Sequence, residues 1–382
     1  MQIHIIRQKH MDELSKYIIL LSFLVTYLFP DVNKIHEVVT GLYAVIGLLL
    51  YLFRRKITAG DCMAFFLALL PLLYSNSSEG VRYYLLMISL ITWSKIRYMS
   101  LDGIFKIIVV FGAFSSVEQI IHKVARIYGF MGSPTQFSAI MLICQTYLLI
   151  KIFNHHEKKM ILYPVFTTFL IFLSGTRSIL AGALISWAYY LLCIWVQNSH
   201  FIHKRVAFFL SLVFASTGIY HASGIVIELL TSKMNRSGMA ILNSNRTRMK
   251  LAELIFDQMR NQPLMILIGK GSGYVENLIE NLTGHISYLP VHQDYLLLLA
   301  EFGVMGIFLI YVFLLHRHHA KWLFLFMFTV LSFHNILLNT RAMILMTIVM
   351  CDVEYNKYSM VPFYGMRMKL RRYSGKEKGV KG

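Results

Sequence analysis

Charge is scarce in this sequence. Asp, Glu, Lys and Arg make up 15% of the 382 residues, where soluble domains run near ~25%. With 57% of the chain hydrophobic, a fold dissolved in water is a poor premise and lipid is the better solvent. Acidic groups are scarcest, which leaves a formal charge of +18. The lysines and arginines nevertheless fall as short clusters between apolar runs and build no continuous basic face, which argues against nucleic acid. Cysteine is almost missing: Cys62, Cys144, Cys193 and Cys351 sit in or beside apolar runs, with neither disulfide-framework nor zinc-ligand spacing. Also absent is a small-residue cleavage pattern after the first apolar run. Tyr17 to Phe29 leads straight into Pro30 and Asp31, so that run is expected to be a retained helix and not a signal peptide. No internal repeat is visible.

What the chain has instead is a succession of apolar runs near bilayer length. They lie at about 17–30, 38–53, 62–74, 81–94, 103–121, 136–153, 160–174, 177–196, 206–222, 294–315, 321–336 and 341–354. The expectation is an all-α polytopic membrane protein with about 12 transmembrane helices, a single integral membrane domain over residues 1–382. The positive-inside rule orients it. With the N-terminus inside, alternate loops carry Arg54, Arg55 and Lys56; Lys95 and Arg97; Lys151, Lys158 and Lys159; Lys204 and Arg205; Arg317 and Lys321. Together with the two tails they place most of the 37 basic residues in the cytoplasm. The expected location is a bacterial inner membrane, with both termini cytoplasmic.

One stretch, 223–291, is too long and too polar to be a turn, and the topology puts it outside as one large periplasmic loop. Within it, Leu251, Leu254, Ile255 and Met259 alternate at helical spacing with Lys250, Glu253, Asp257 and Arg260, the pattern of an amphipathic helix on the membrane surface. Pro263 and glycines 269, 271 and 273 are expected to end it and open an irregular stretch. Basic residues on the outer side defy the insertion rule and need another explanation. They include Lys123, Arg126, Arg177, Arg236, Arg246, Arg248 and Lys250. Arginine forks suit phosphate oxygens, and on this face a lipid-linked pyrophosphate is a natural anion; solvated or lipid-bound arginines are the plainer reading. His292 stands where the loop enters the tenth run. It reads either as a general base for a sugar hydroxyl or as a helix-start packing residue. Glu118 and Glu301 lie inside apolar runs, where ionisable groups are costly and often functional. They are candidates for substrate contact or for pairing with arginine.

Three stretches together resemble the O-antigen ligase and polymerase superfamily. Ser174-Gly175-Thr176-Arg177-Ser178 is similar to its serine-and-arginine turn. Arg248, followed through a helix to Pro263 and Gly269-Lys270-Gly271, is similar to its loop arginine, proline and glycine pair. His292-Gln293-Asp294-Tyr295-Leu296, then Glu301-Phe302-Gly303-Val304-Met305-Gly306, resembles its histidine, tyrosine-leucine, glutamate and paired glycines. Arg126, Gly129 and Pro134 are similar to the family's approach to its sixth helix. Ala252 and Gln293 depart from the usual aromatic and Asn or Ser, and neither departure removes a charged candidate.

The resemblance implies a C-type glycosyltransferase-like fold. It also implies pyrophosphate binding by Arg177 and Arg248 and activation of the acceptor hydroxyl by His292. Arg126, Arg246, Glu118, Tyr295 and Glu301 are the substrate-binding candidates beside them. The partners it implies are undecaprenyl-pyrophosphate-linked glycan donor and acceptor, membrane lipids and a chain-length regulator protein. No cofactor, metal or nucleic acid is expected.

Other features lead elsewhere. Gly269 to Gly273 lacks P-loop spacing. His155, His156, His316, His318 and His319 sit among basic cytoplasmic loop residues, away from the candidate site. A ligase acting on lipid A core shares every motif with a polymerase. A flippase of lipid-linked oligosaccharide would need a cationic cavity too, but transporters more often show paired repeats and matching broken helices, and the asymmetric large loop argues against that class. A scaffold role within an assembly complex is the plainest alternative.

Overall fold

Pro134–His155 (α4) explains why the rest of the molecule assembles as it does. It is a 22-residue helix in which every residue from Phe137 to Ile152 is buried. At 1.5 Å per residue it is about 33 Å long, enough to cross a hydrocarbon core of ~30 Å. A helix apolar on all sides belongs inside a bundle, and other helices cover this one. The computed structural model describes residues 17–27, 33–54, 102–155, 157–198, 250, 252–271, 273–275, 277–278, 294–315 and 339–356, with positions 85, 89, 92 and 93. Among them, chain order gives α1 (Tyr17–Tyr27), α2 (Asn33–Arg54), α3 (Asp102–Ile121), α4, α5 (Leu162–Ser174), α6 (Arg177–Asn198), α7 (252–261), α8 (Pro263–Ile268), α9 (Asp294–Leu315) and α10 (Thr340–Asn356). No strand occurs among the described residues.

Four of these helices, α2, α3, α4 and α6, are long and apolar enough to cross a membrane. In α4 89% of the spanning window is buried, against 33–39% in the other three, so those three each keep one side for lipid. The outward sides confirm it: Val38, Leu42, Val45 and Leu49 on α2, Ile107, Phe111 and Phe114 on α3, Leu184, Leu191 and Trp195 on α6 are all exposed. In water such stripes would aggregate; in lipid they are the solvated face. The expected spans at 38–53, 103–121, 136–153 and 177–196 therefore appear within a few residues of their anticipated limits. The expected spans at 62–74, 206–222 and 321–336, nearly all of 81–94, and the sidedness of the termini lie outside the described residues.

Polar side chains join the helices where lipid offers no partner. Gln145 of α4 donates through Nε2 to Ala183 O (3.0 Å) and Ser186 Oγ (2.8 Å) on α6, and its Oε1 accepts from Thr168 of α5 (3.1 Å). Trp187 Nε1 closes that group on Thr168 Oγ1 at 2.8 Å. Thr40 meets Thr340 at 2.9 Å and Tyr43 meets Thr347 at 2.7 Å, so residues 300 apart in sequence seam α2 to α10. Such bonds are worth about 0.6–2 kcal/mol each in a membrane. Asn339 starts α10 by accepting through Oδ1 from the amides of Arg341 (3.0 Å) and Ala342 (3.3 Å), an N-cap of the expected kind.

Candidate functional site

The turn between α5 and α6 is built by a neighbouring loop. Gly175 ends α5 in the left-handed region (φ 67°) with its amide on Phe172 O, and Thr176 starts α6 by accepting from Leu180 N at 2.9 Å. Over this turn lies the loop after α3, shaped by Gln119. Its buried amide accepts through Oε1 from Tyr128 N (2.8 Å) and Gly129 N (3.0 Å), and donates to Gly129 O (2.9 Å). Gly129 is obligatory there. Its φ is +52°, and a Cβ would stand 2.4 Å from the Phe137 ring.

The loop delivers Arg126 to the turn. Nε donates to Ser174 O at 2.9 Å and Nη2 to Thr176 Oγ1 at 3.2 Å. The first bond satisfies a carbonyl in the last turn of α5, where the helix dipole is negative, so Arg126 suits that place. Arg177, one residue past Thr176, is the first residue of α6 and half-buried. A cation there opposes the positive end of its own helix, at a cost of about 0.3–1 kcal/mol. The two sequence-predicted arginines thus meet at one turn, Arg126 through its hydrogen bonds and Arg177 as the residue after Thr176. Glu118 sits in the last turn of α3, exposed, at the foot of the same loop.

A third arginine was missed by the sequence reading. Arg341, in the first turn of α10, is 2% exposed. Its Nε donates to Thr26 O at 2.8 Å, its Nη1 approaches Met131 Sδ at 3.4 Å, and Nη2 lies 3.5 Å from His36 Nε2. The guanidinium also stands 5.6 Å from the Tyr27 ring centroid. It ties the ends of α1, α2 and α10 to the loop that carries Arg126. The signal was available, an arginine inside an apolar run, but it opened a run and read as a flank.

A second group forms on α9. Ile255 and Met259 of α7, Met265 of α8, Val275, and Leu296, Leu297 and Ala300 of α9 make a separate buried cluster. The amphipathic helix expected near 248–260 is therefore present, but Ile255 and Met259 face protein, while Leu254 and Phe256 are exposed. Pro263 differs from expectation. It ends α7 and also opens α8 as its first residue, after Gln262 turns at φ −132°, ψ 79°, because a proline costs no hydrogen bond at a helix start.

The glycines that follow meet a break in α9. Gly303 has φ 65°, ψ 179° inside an otherwise continuous helix. Lys270 N donates to Ala300 O and Gly271 N to Glu301 O, both at 2.9 Å, and Gly273 N donates to Glu301 Oε1 at 3.0 Å. Glu301 is 1% exposed, and burial raises the Tyr274 hydroxyl above its ordinary pKa.

Of the remaining candidates, Arg246, Arg248 and His292 lie outside the described residues, as does the side chain of Tyr295. The backbone of α9 begins at Asp294, two residues after His292. Residues 162–311 match the family model described as O-antigen ligase, a segment that includes Arg177, Glu301 and the glycine loop. No curated protein and no solved structure matches the chain.

Proposed function

Because residues 162–311 carry the O-antigen ligase family domain, which puts this membrane protein in the O-antigen polymerase and ligase superfamily, we propose that it polymerises lipid-linked oligosaccharide repeat units. The donor is a glycan on undecaprenyl pyrophosphate at the periplasmic face of the inner membrane. An acceptor hydroxyl oxygen attacks the anomeric carbon, and the bond from that carbon to the pyrophosphate oxygen breaks with inversion. The hydroxyl proton passes to His292, and the lipid pyrophosphate leaves with the bonding electrons, its charge held by Arg177 and Arg248. Pyrophosphate is a competent leaving group once neutralised, so positioning and electrostatic stabilisation carry the rate without a metal.

The observation that supports this most is the pairing at the α5–α6 turn. Arg126 is held by Ser174 O and Thr176 Oγ1, beside an Arg177 that opposes its own helix dipole. An anion relieves that conflict. Binding of undecaprenyl pyrophosphate to the purified protein tests it: Arg177→Ala is expected to weaken binding about 10–100-fold, the worth of a charge-assisted bond. Unchanged affinity in Arg177→Ala would remove this turn from the donor site.

A ligase that transfers the finished glycan to lipid A core is the second reading, favoured by the description of the matching family. It shares the donor half of the mechanism and differs in the acceptor. Nothing in the chain is specific to a lipid A core, and polymerase is preferred on that ground. A chain-length regulator would act on this site from outside the chain.

A further inference from the structure

Glu301 looks at first like a substrate contact, an acid buried in a membrane helix. Its surroundings give it another task. Three successive features of the 269–273 loop meet the end of the first half of α9: the amide of Lys270 on Ala300 O, the amide of Gly271 on Glu301 O, and the amide of Gly273 on the Glu301 carboxylate. A straight helix would use those two carbonyls itself, for the amides four residues on. Gly303 leaves the helical region just there, so the break in α9 and the loop complete each other.

The fit is at backbone contact. A Cβ on Gly269 would lie 2.2 Å from Glu301 O, and one on Gly303 would lie 2.5 Å from Leu267 O and 2.6 Å from Gly269 N. None of these neighbours is a side chain able to turn away. The cluster of Ile255, Met259, Met265 and Val275 on Leu296, Leu297 and Ala300 closes the other side.

We propose that Glu301 is a positioning residue: by accepting from Gly273 N it latches the loop of Gly269, Gly271 and Gly273 to the broken helix α9, which sets the course of α9 from Asp294, two residues after His292 in sequence. The inference rests on the transferase reading for what the latch serves, and on the geometry alone for the latch. The carboxylate's role is that of a hydrogen-bond acceptor, which a neutral amide oxygen also fills. The helix that carries Met265 then stays in place through turnover.

The test uses the full-length protein in isolated membranes, with Met265→Cys as reporter of the latch and Leu264→Cys, whose parent residue is exposed, as reference. Modification by N-ethylmaleimide is read at each site by mass spectrometry, and glycan synthesis is followed at matched protein level without the reporters. Glu301→Gln is expected to keep Met265→Cys protected and to support synthesis within about threefold of wild type. Glu301→Ala, which strands a buried amide, is expected to raise the Met265→Cys rate about tenfold or more relative to the reference and to cut synthesis similarly. A Glu301→Gln protein that is inactive while Met265→Cys stays protected would overturn the proposal in favour of a carboxylate acting on substrate. Protection and synthesis both unchanged in Glu301→Ala would overturn it as well. Failure of the transferase reading looks different: deletion of the gene would then leave glycan synthesis unchanged, whatever the labelling shows.

Discussion

Arg126, Gln119 and Arg341 show how much of an arginine site consists of holding arginines still. Gln119 fixes the backbone at residues 128 and 129 through three hydrogen bonds, and that backbone carries Arg126 to Ser174 O. Gln119→Ala leaves two amides and a carbonyl to find new partners, at about 1–3 kcal/mol for a stranded buried group such as Gly129 N. It is expected to cut glycan output about tenfold or more while the protein still inserts; output equal to wild type at equal membrane level would show that the loop does not depend on Gln119. Arg341 presents a different case because three chain segments converge on its planar fork. Arg341→Lys keeps the charge but cannot serve Thr26 O and the His36 ring with the same geometry. The expectation is a several-fold loss of protein from the membrane, measured by quantitative immunoblot, and Arg341→Ala should lose more.

Among the elements, α9 is the informative one. Its sequence reads as one long apolar run, and a single span from 294 to 315 is a fair description of its ends. The sequence resemblance flagged Gly303, Gly306, Gly269 and Gly271, and the structure gives the physical reason for Gly303 and Gly269: two backbones touch there, and α9 must break to allow it. Gly303→Ala meets both an unfavourable φ and a backbone collision. It is expected to destabilise this part of the protein by about 1–3 kcal/mol, more than Gly306→Ala, whose Cβ would press mainly on Phe302. Thermal aggregation of the two detergent-solubilised variants, compared with wild type, ranks them; the reverse order would contradict the latch geometry.

For the whole molecule, the apolar runs foretold α2, α3, α4, α6 and α9 because lipid imposes a length and a composition that few other environments do. They did not foretell which helix is central. Only the packing shows α4 enclosed and α2, α3 and α6 facing lipid, since all four are apolar around most of their circumference. Arg126 and Arg177 were legible as exceptions to the positive-inside rule, but their meeting at one turn depends on Gln119, an unremarkable glutamine in the sequence. Arg341 escaped notice by opening a run. Sidedness also belongs to this scale. A membrane-impermeant maleimide applied to intact spheroplasts is expected to label Ser237→Cys in the large loop and spare Ser374→Cys in the C-terminal tail, and the opposite pattern would invert the topology.

Joining of lipid-linked repeat units is the activity proposed for this chain. The length distribution of surface glycan on gels, from a gene-deleted strain complemented with wild type, Arg177→Ala or His292→Ala at matched membrane expression, tests it most directly. Deletion is expected to leave single repeat units on lipid A core, wild type to restore ladders, and neither variant to do so. Bare core with long glycan stranded on the lipid carrier would identify a ligase and contradict the polymerase reading, and ladders restored by both variants would contradict the site.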